Sequence, residues 1–301
     1  RFLQGIGIAS PRIVMNAVIR DRYKGPEMAR VMSFVMAVFI LVPVIAPSIG
    51  QVILIFFNWE AIFWMFLITA LLVCIWFSIR LDETLLPESR QPLSFRKIRN
   101  GMIEVLKTRT ALGYTLATGF LFSPFVGYLS SSQQIFADGY GKKDEFPLLF
   151  ASLALTFGVA SLVNARLVYR YGLKRLCFAS VSVITGLSGI FLLGILGMDK
   201  MPPLWLFMGY MMITFPGIGF LFGNLNALAM EPLGHIAGVG AAMIGSLSSL
   251  ISIPLGILIA RAFNGTVLPL VTGFSLCGLA VLFSIIWAEK NPQSKVVVEN
   301  P

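Results

Sequence analysis

The sequence predicts an all-α polytopic membrane protein. Hydrophobic residues make up 57% of the 301 residues and charged residues 12%, whereas a soluble domain averages about 45–50% and about 25%. The apolar residues form runs of about 20, the length that crosses a bilayer as a helix. The charged residues cluster between these runs, so the net charge of +9 indicates the loops of a membrane protein rather than a nucleic-acid-binding surface.

The order of the apolar runs predicts nine transmembrane helices. The second run is long enough to require tilt or a kink, and Pro43 and Pro47 lie inside it as kink sites. The nine predicted spans are 1–19, 31–57, 61–79, 111–136, 148–165, 176–198, 204–230, 237–260 and 267–288.

The distribution of lysine and arginine predicts the orientation of the spans. Seventeen of the 23 basic residues fall on one side of the predicted membrane and four on the other, while Arg1 and Arg12 lie within the first span. Cytoplasmic loops carry this excess of positive charge. We therefore expect the C-terminus, residues 290–301, to be a cytoplasmic tail.

The first span carries polar residues on one helical face. Arg1, Arg12 and Asn16 share a face, because positions 11 apart return to nearly the same angle. A charged side chain in hydrocarbon costs about 2.5–3.5 kcal/mol or more, so it normally points into a bundle or a wet cavity. We expect Gln4, Arg12 and Asn16 to line a substrate cavity. Arg12 has an alternative role, in which it extends toward the cytoplasmic headgroups.

Residues 1–9 read R-x-x-Q-G-x-G-x-A. This pattern resembles the fourth-span motif of proton-coupled drug antiporters of the major facilitator superfamily, most closely the Bcr/CflA type. The resemblance implies a major facilitator fold with nine of its twelve helices present, the first three spans being absent. It also implies that Arg1 takes part in proton coupling.

The second span resembles the antiporter signature of the same family, whose core is G-P-x-x-G-G. Pro47 and Gly50 match that core, Pro43 precedes it, and Ala46 replaces its first glycine. Proline and small residues allow helices to bend and approach closely, which suits a hinge. A plain proline kink is the alternative interpretation.

The stretch 164–175 resembles a second copy of the superfamily's loop motif. Arg170, Gly172, Lys174 and Arg175 match it, and Tyr169 stands where the family has aspartate. Ordinary cytoplasmic positive charge explains these residues equally well.

A polar stripe in the span 111–136 predicts a cavity-lining face. Ser123, Ser130 and Gln134 lie at helical spacing, Tyr128 widens the stripe, and Pro124 supplies a bend. We also expect Asn224 and Asn226, in the span 204–230, to line the cavity. Nearby aromatic and methionine side chains suit bulky lipophilic substrates, and ordinary core packing is the alternative.

The segment 80–110 is predicted to be the central cytoplasmic loop. It would join residues 1–79, a remnant of the N-terminal half, to residues 111–289, the C-terminal six-span half. Within it, Phe95, Val105 and Leu106 follow helical spacing among basic residues, and Ser94 is a candidate N-cap. This predicts an amphipathic helix on the membrane surface, with a solvated linker as the alternative.

Residues with catalytic or metal-binding chemistry are sparse. The three cysteines are widely separated and His235 is the one histidine, which predicts neither a disulfide framework nor a metal site. None of the 14 acidic residues falls in the middle of a predicted span, although proton coupling usually uses such a carboxylate. In the resembling family that carboxylate lies in the first span, so we expect the chain alone to be inactive. An intramembrane enzyme is not indicated.

The resemblance implies proton-coupled efflux of drugs or other lipophilic molecules across the bacterial inner membrane by alternating access. A metabolite transporter of the same superfamily is the alternative. The expected partners are the bilayer and a small drug-like substrate, with no nucleic acid and no cofactor besides the proton gradient. The protein is expected to be a monomer.

Overall fold

The computed structural model is helical throughout the residues that it describes, which are 2–9, 11–23, 25–83, 94–197 and 201–290. These ranges contain no β-strand. The chain divides into two compact units, Arg1–Leu93 and Ser94–Pro301. Each unit is described on its own.

The first unit contains four helices along the described residues. They are α1 (Phe2–Ala9), α2 (Pro11–Arg22), α3 (Gly25–Phe56) and α4 (Glu60–Arg80). The predicted span 1–19 contains α1 and most of α2, which at 1.5 Å per residue extend about 12 and 18 Å. Pro11 is the first described residue of α2, and Ser10 lies outside the described residues.

The helices α3 and α4 occupy the next two predicted spans. Ile45–Phe56 is the strongly apolar part of α3. None of the side chains of α4 is buried, and Leu72 and Trp76 are 62% and 68% exposed. A helix that is apolar on every side and uncovered by protein fits contact with lipid.

The second unit contains seven α-helices in the part of it that the structure describes. They are α5 (Phe95–Lys107), α6 (Arg109–Gln134), α7 (Phe146–Tyr171), α8 (Leu173–Ile195), α9 (Leu204–Met230), α10 (Ala237–Arg261) and α11 (Leu268–Glu289). A π-helical turn, Ile135–Gly139, continues α6, and a 3₁₀ turn, Glu231–Ile236, joins α9 to α10. The central helix α6 packs against α9, α10 and α11, while α9 also packs against α7 and α8.

Glycines allow the helix backbones of the second unit to approach closely. A Cβ atom at Gly256 of α10 would lie 2.8 Å from the carbonyl oxygen of Ser123 on α6, and one at Gly219 of α9 would lie 2.8 Å from that of Phe157 on α7. Close backbone approach at small residues is the main packing device of helices in membranes. These contacts fix α10 against α6 and α7 against α9.

Length and apolar composition mark six candidate membrane spans among the described residues. One of them, Leu204–Arg261, contains both α9 and α10, which separate at the non-helical backbone of Leu233. Helices therefore occupy each of the seven predicted spans from 61–79 to 267–288. The six candidates are Glu60–Arg80, Arg109–Gly139, Phe146–Asn164, Leu173–Ile195, Leu204–Arg261 and Leu268–Glu289.

The amphipathic helix predicted in the central loop is α5. Its predicted cap is present, because the Ser94 hydroxyl accepts a hydrogen bond from the Lys97 amide at 3.3 Å. Val105 is fully buried and Gly101 abuts Val239, so α5 packs on α10. This contact with protein was not predicted. Residues 84–93, in the same predicted loop, lie outside the described residues.

Candidate transport site

The polar stripe predicted on α6 divides into a buried part and an exposed part. Ser123 is fully buried, and its hydroxyl donates to the Gly119 carbonyl at 2.9 Å. Ser130 and Gln134, further along the helix, are exposed. A serine in a membrane helix can satisfy its hydroxyl on the preceding turn, so it needs no wet surface. The polar face of α6 reaches the surface of its unit at the end that leads into the π-helical turn.

Tyr128 lies in an aromatic cluster between α6, α7 and α9. Its ring stacks on Phe150 with centroids 5.9 Å apart and meets Phe215 edge to face at 5.0 Å. The side chain is fully buried, and its hydroxyl has no hydrogen-bond partner among the described residues. Within this unit, aromatic neighbours therefore surround the predicted cavity residue.

The two asparagines predicted on α9 differ in their contacts. Asn224 is buried and forms two reciprocal amide hydrogen bonds with Asn164 of α7, each 2.9 Å long. Asn226 is half-buried and donates to the Phe222 carbonyl of its own helix. Asn164 was not predicted to be the partner of Asn224. The sequence does place Asn164 within an apolar helix, and this position indicates that its amide needs a hydrogen-bond partner.

The residues of the predicted loop motif lie at the α7–α8 turn. Gly172 joins the two helices with a φ of 78°, a left-handed conformation that favours glycine. Arg170 lies over the Tyr171 ring at 5.3 Å, and Arg175 is exposed. A surface hollow of about 590 Å³ lies beside this turn and is lined by Lys174, Arg175 and Glu231 among others.

Lys174 belongs to a polar cluster that links three helices of the second unit. Its ammonium group lies 2.9 Å from Glu289 Oε2 at the end of α11, and the Tyr114 hydroxyl of α6 donates to Glu289 Oε1 at 2.5 Å. Next to this cluster, Arg109 donates to the Trp287 carbonyl at 2.8 Å. The roles of Tyr114 and Glu289 were not predicted, because their partners lie more than 100 residues away in sequence.

The single histidine also forms a polar contact. His235, in the 3₁₀ turn, lies 2.6 Å from the Glu104 carboxylate on α5, and both side chains are partly exposed. The pair connects α5 to the turn between α9 and α10. Within the part of the chain that the structure describes, no three His, Cys, Asp or Glu side chains are grouped closely enough to hold a metal ion.

The predicted site residues of the first unit are only partly described. Arg1 lies outside the described residues, as do the side chains of Arg12, Asn16 and Pro43. Gln4 is exposed on α1. In the antiporter signature, Ala46 is exposed, Pro47 and Gly50 are half-exposed, and no heavy atom lies within 4 Å of a Cβ built at Gly50. The coupling and hinge roles of these residues remain predictions.

The interior of the second unit contains aromatic rings, paired amides and hydroxyls that donate to carbonyl oxygens of their own helices. The outer surface of this bundle is apolar. With its series of apolar helices, this arrangement defines a multi-pass helical membrane protein. Residues 1–257 match the family model described as Major Facilitator Superfamily. The chain belongs to that superfamily of transporters.

Relatives among known proteins are similar over most of the chain. A bicyclomycin resistance protein homolog of Haemophilus influenzae is 28% identical over 98% of this chain and 74% of its own length. The uncharacterized MFS-type transporter YdgK of Bacillus subtilis is 30% identical over 83% of this chain and 62% of its own length. The multidrug resistance protein MdtL of Shewanella oneidensis is 25% identical over 95% of this chain and 72% of its own length. The resemblance to Bcr/CflA-type transporters is thereby confirmed.

Proposed function

We propose that the protein exports drugs or other lipophilic small molecules across the bacterial inner membrane, in exchange for protons and by alternating access. The observation that carries this proposal is the similarity to two relatives named for drug resistance, which extends over 98% and 95% of the chain. The same relatives favour a drug over a metabolite as substrate. Because the chain spans 62–74% of its relatives' lengths, the activity proposed is that of the whole transporter.

The described interior of the second unit supports a lipophilic substrate. Aromatic rings form a continuous series of contacts from Phe222 through Phe122, Phe125 and Phe215 to Tyr128. Large aromatic faces bind varied apolar molecules because their contacts are dominated by area and dispersion rather than by fixed hydrogen bonds. Ser130 and Gln134, exposed at the end of α6, are the polar residues that we assign to the substrate path in this unit, with Asn224 and Asn226 nearer its other end.

Arg1 is the residue that we assign to proton coupling. It carries the arginine of the fourth-span motif, and a fixed positive charge in a membrane bundle stabilises the ionised form of a nearby carboxylate. The carboxylates of the described residues lie on α5, at helix ends or in connecting segments. We propose that a carboxylate of the whole transporter is the proton-binding partner of Arg1.

The test is drug efflux from bacteria that lack their own drug exporters and express the full open reading frame encoding these residues. We expect ethidium to accumulate less in these cells than in cells with an empty vector, and we expect an uncoupler that collapses the proton gradient to abolish the difference. Arg1→Ala should eliminate efflux while the protein remains in the membrane. Arg261→Ala, which removes an exposed arginine from the last turn of α10, is the matched control and should transport normally. Unimpaired efflux by Arg1→Ala would contradict the coupling role.

A further inference from the structure

The Tyr128 hydroxyl is an unpaired polar group deep in the second unit. Two other buried tyrosines there are satisfied: the Tyr210 hydroxyl lies 2.9 Å from the Ser188 hydroxyl, and the Tyr114 hydroxyl donates to Glu289. Tyr140, which follows the π-helical turn, shares the unpaired state of Tyr128. A buried hydroxyl without a partner is destabilising, so its retention in an aromatic cluster calls for an explanation.

The surroundings of Tyr128 are flat aromatic faces. Phe150 of α7 lies nearly parallel to the Tyr128 ring, with an interplanar angle of 13°, and Phe215 of α9 closes the side at 83°. A second stacked pair, Phe125 and Phe157, continues the α6–α7 contact with an angle of 18°. A planar ring that stacked on the same face of Phe150 would lie nearly in the plane of the Tyr128 ring, the plane in which the phenolic hydroxyl donates.

The two ends of α7 are attached differently to their neighbours. Toward one end, Asn164 is hydrogen-bonded to Asn224, and near the middle of α7 Gly219 brings the backbones of α7 and α9 together at Phe157. Phe150 lies 14 residues before Asn164, about 21 Å away along the helix. There the contacts are aromatic rings without hydrogen bonds to α6 or α9 among the described side chains. This end can separate from α6 without breaking the amide pair.

The helices that face Phe150 are adapted to bending near Tyr128. Pro124 interrupts the hydrogen bonding of α6 one turn before Tyr128, and Pro216 does the same in α9 beside Phe215. Each proline removes one backbone hydrogen bond from its helix and so lowers the resistance to local bending. The three elements that enclose the hydroxyl are thus two proline-containing helices and one helix end held by ring contacts.

We infer that Tyr128, Phe150 and Phe215 form a substrate subsite for a planar aromatic ring that carries a hydrogen-bond acceptor. The subsite opens when the Phe150 end of α7 moves away from α6, and the Tyr128 hydroxyl then donates to the acceptor. This inference rests on the proposed function and specifies its substrate class as acceptor-bearing planar aromatics.

The experiment measures binding of acridine and of anthracene to the purified chain in detergent, at a pH where the acridine ring nitrogen is unprotonated. The two probes have the same shape, and only acridine accepts a hydrogen bond. We expect wild-type protein to bind acridine more tightly. Tyr128→Phe should weaken acridine binding about three- to tenfold and leave anthracene binding unchanged, because a net hydrogen bond contributes that factor. Its midpoint of thermal unfolding should stay constant or rise, since the hydroxyl removed has no partner.

Tyr210→Phe is the matched control. It removes a buried hydroxyl that is hydrogen-bonded to Ser188, so we expect a lower unfolding midpoint and unchanged acridine affinity. The inference is overturned if acridine does not bind, if wild-type protein does not distinguish the probes, or if Tyr128→Phe weakens both equally. Binding requires no transport, so acridine binding through Tyr128, together with no efflux from cells that express the full open reading frame, would retain the subsite and refute the proposed function.

Discussion

The reciprocal amide pair between α7 and α9 gives the sharpest prediction about stability. Asn164 and Asn224 exchange two hydrogen bonds of 2.9 Å inside an apolar bundle. Replacing one asparagine by leucine, which has a similar shape, leaves the other amide without its partner. We expect Asn164→Leu, which leaves the buried Asn224 amide unpaired, to lower the free energy of unfolding by about 1–3 kcal/mol, the cost of a buried unpaired polar group.

The double variant is expected to be more stable than either single variant. With leucine at both 164 and 224, no amide remains unpaired, and replacing both partners by apolar groups of the same shape is nearly neutral. Hydrogen bonds between membrane helices average about 0.6 kcal/mol and reach about 1.7 in double-mutant cycles. Two such bonds predict a coupling energy of about 1–3 kcal/mol between the two positions.

The assay is reversible unfolding of the purified protein in mixed micelles with increasing dodecyl sulfate, followed by circular dichroism. Asn226→Leu is the control, because Asn226 bonds only to the Phe222 carbonyl of its own helix among the described residues. Its effect should be within about 1 kcal/mol of wild type. Additive losses at 164 and 224, with the double variant least stable of all, would refute the paired geometry.

Three further sets of substitutions test the packing and the polar contacts of the second unit. Gly219→Ala should destabilise it by about 1–3 kcal/mol in the same unfolding assay, because the new Cβ would lie 2.8 Å from a backbone carbonyl oxygen, whereas Gly223→Ala enters open space and should not. Equal effects of the two alanines would contradict the close α7–α9 approach. Lys174→Glu should reduce stability by about 0.2–1 kcal/mol, since both side chains of the ion pair are partly exposed, and Glu289→Lys should cost more because it also removes the acceptor of the buried Tyr114 hydroxyl. The combined reversal should restore part of that loss, and strict additivity would argue against the ion pair. Ser94→Ala should speed hydrogen exchange in the first turn of α5 through loss of the cap, and an unchanged exchange rate would show that the cap is not needed.

The sequence predicts the helices better than it predicts their contacts. Apolar length alone places α6 to α11, because the bilayer fixes how many apolar residues a span needs. Ser94 is recognisable as a cap because capping depends on neighbouring residues only.

The candidate site depends on contacts that a single sequence does not contain. Tyr128 and Asn224 stand out as polar residues in apolar helices, but their neighbours Phe150 and Asn164 are 22 and 60 residues away. Helical spacing predicts which residues share a face and not which helix covers that face. The buried state of Ser123 therefore follows from the central position of α6, which no periodicity within α6 could indicate.

Exchange of protons for a drug is the central claim of this account. The direct measurement uses membrane vesicles that contain the transporter and hold an imposed pH gradient with an acidic lumen, monitored with a pH-sensitive dye. Addition of ethidium should dissipate part of the gradient, and Arg1→Ala vesicles should show no change. Uptake of ethidium that leaves the gradient intact, or equal dissipation in vesicles without the protein, would contradict proton-coupled drug export.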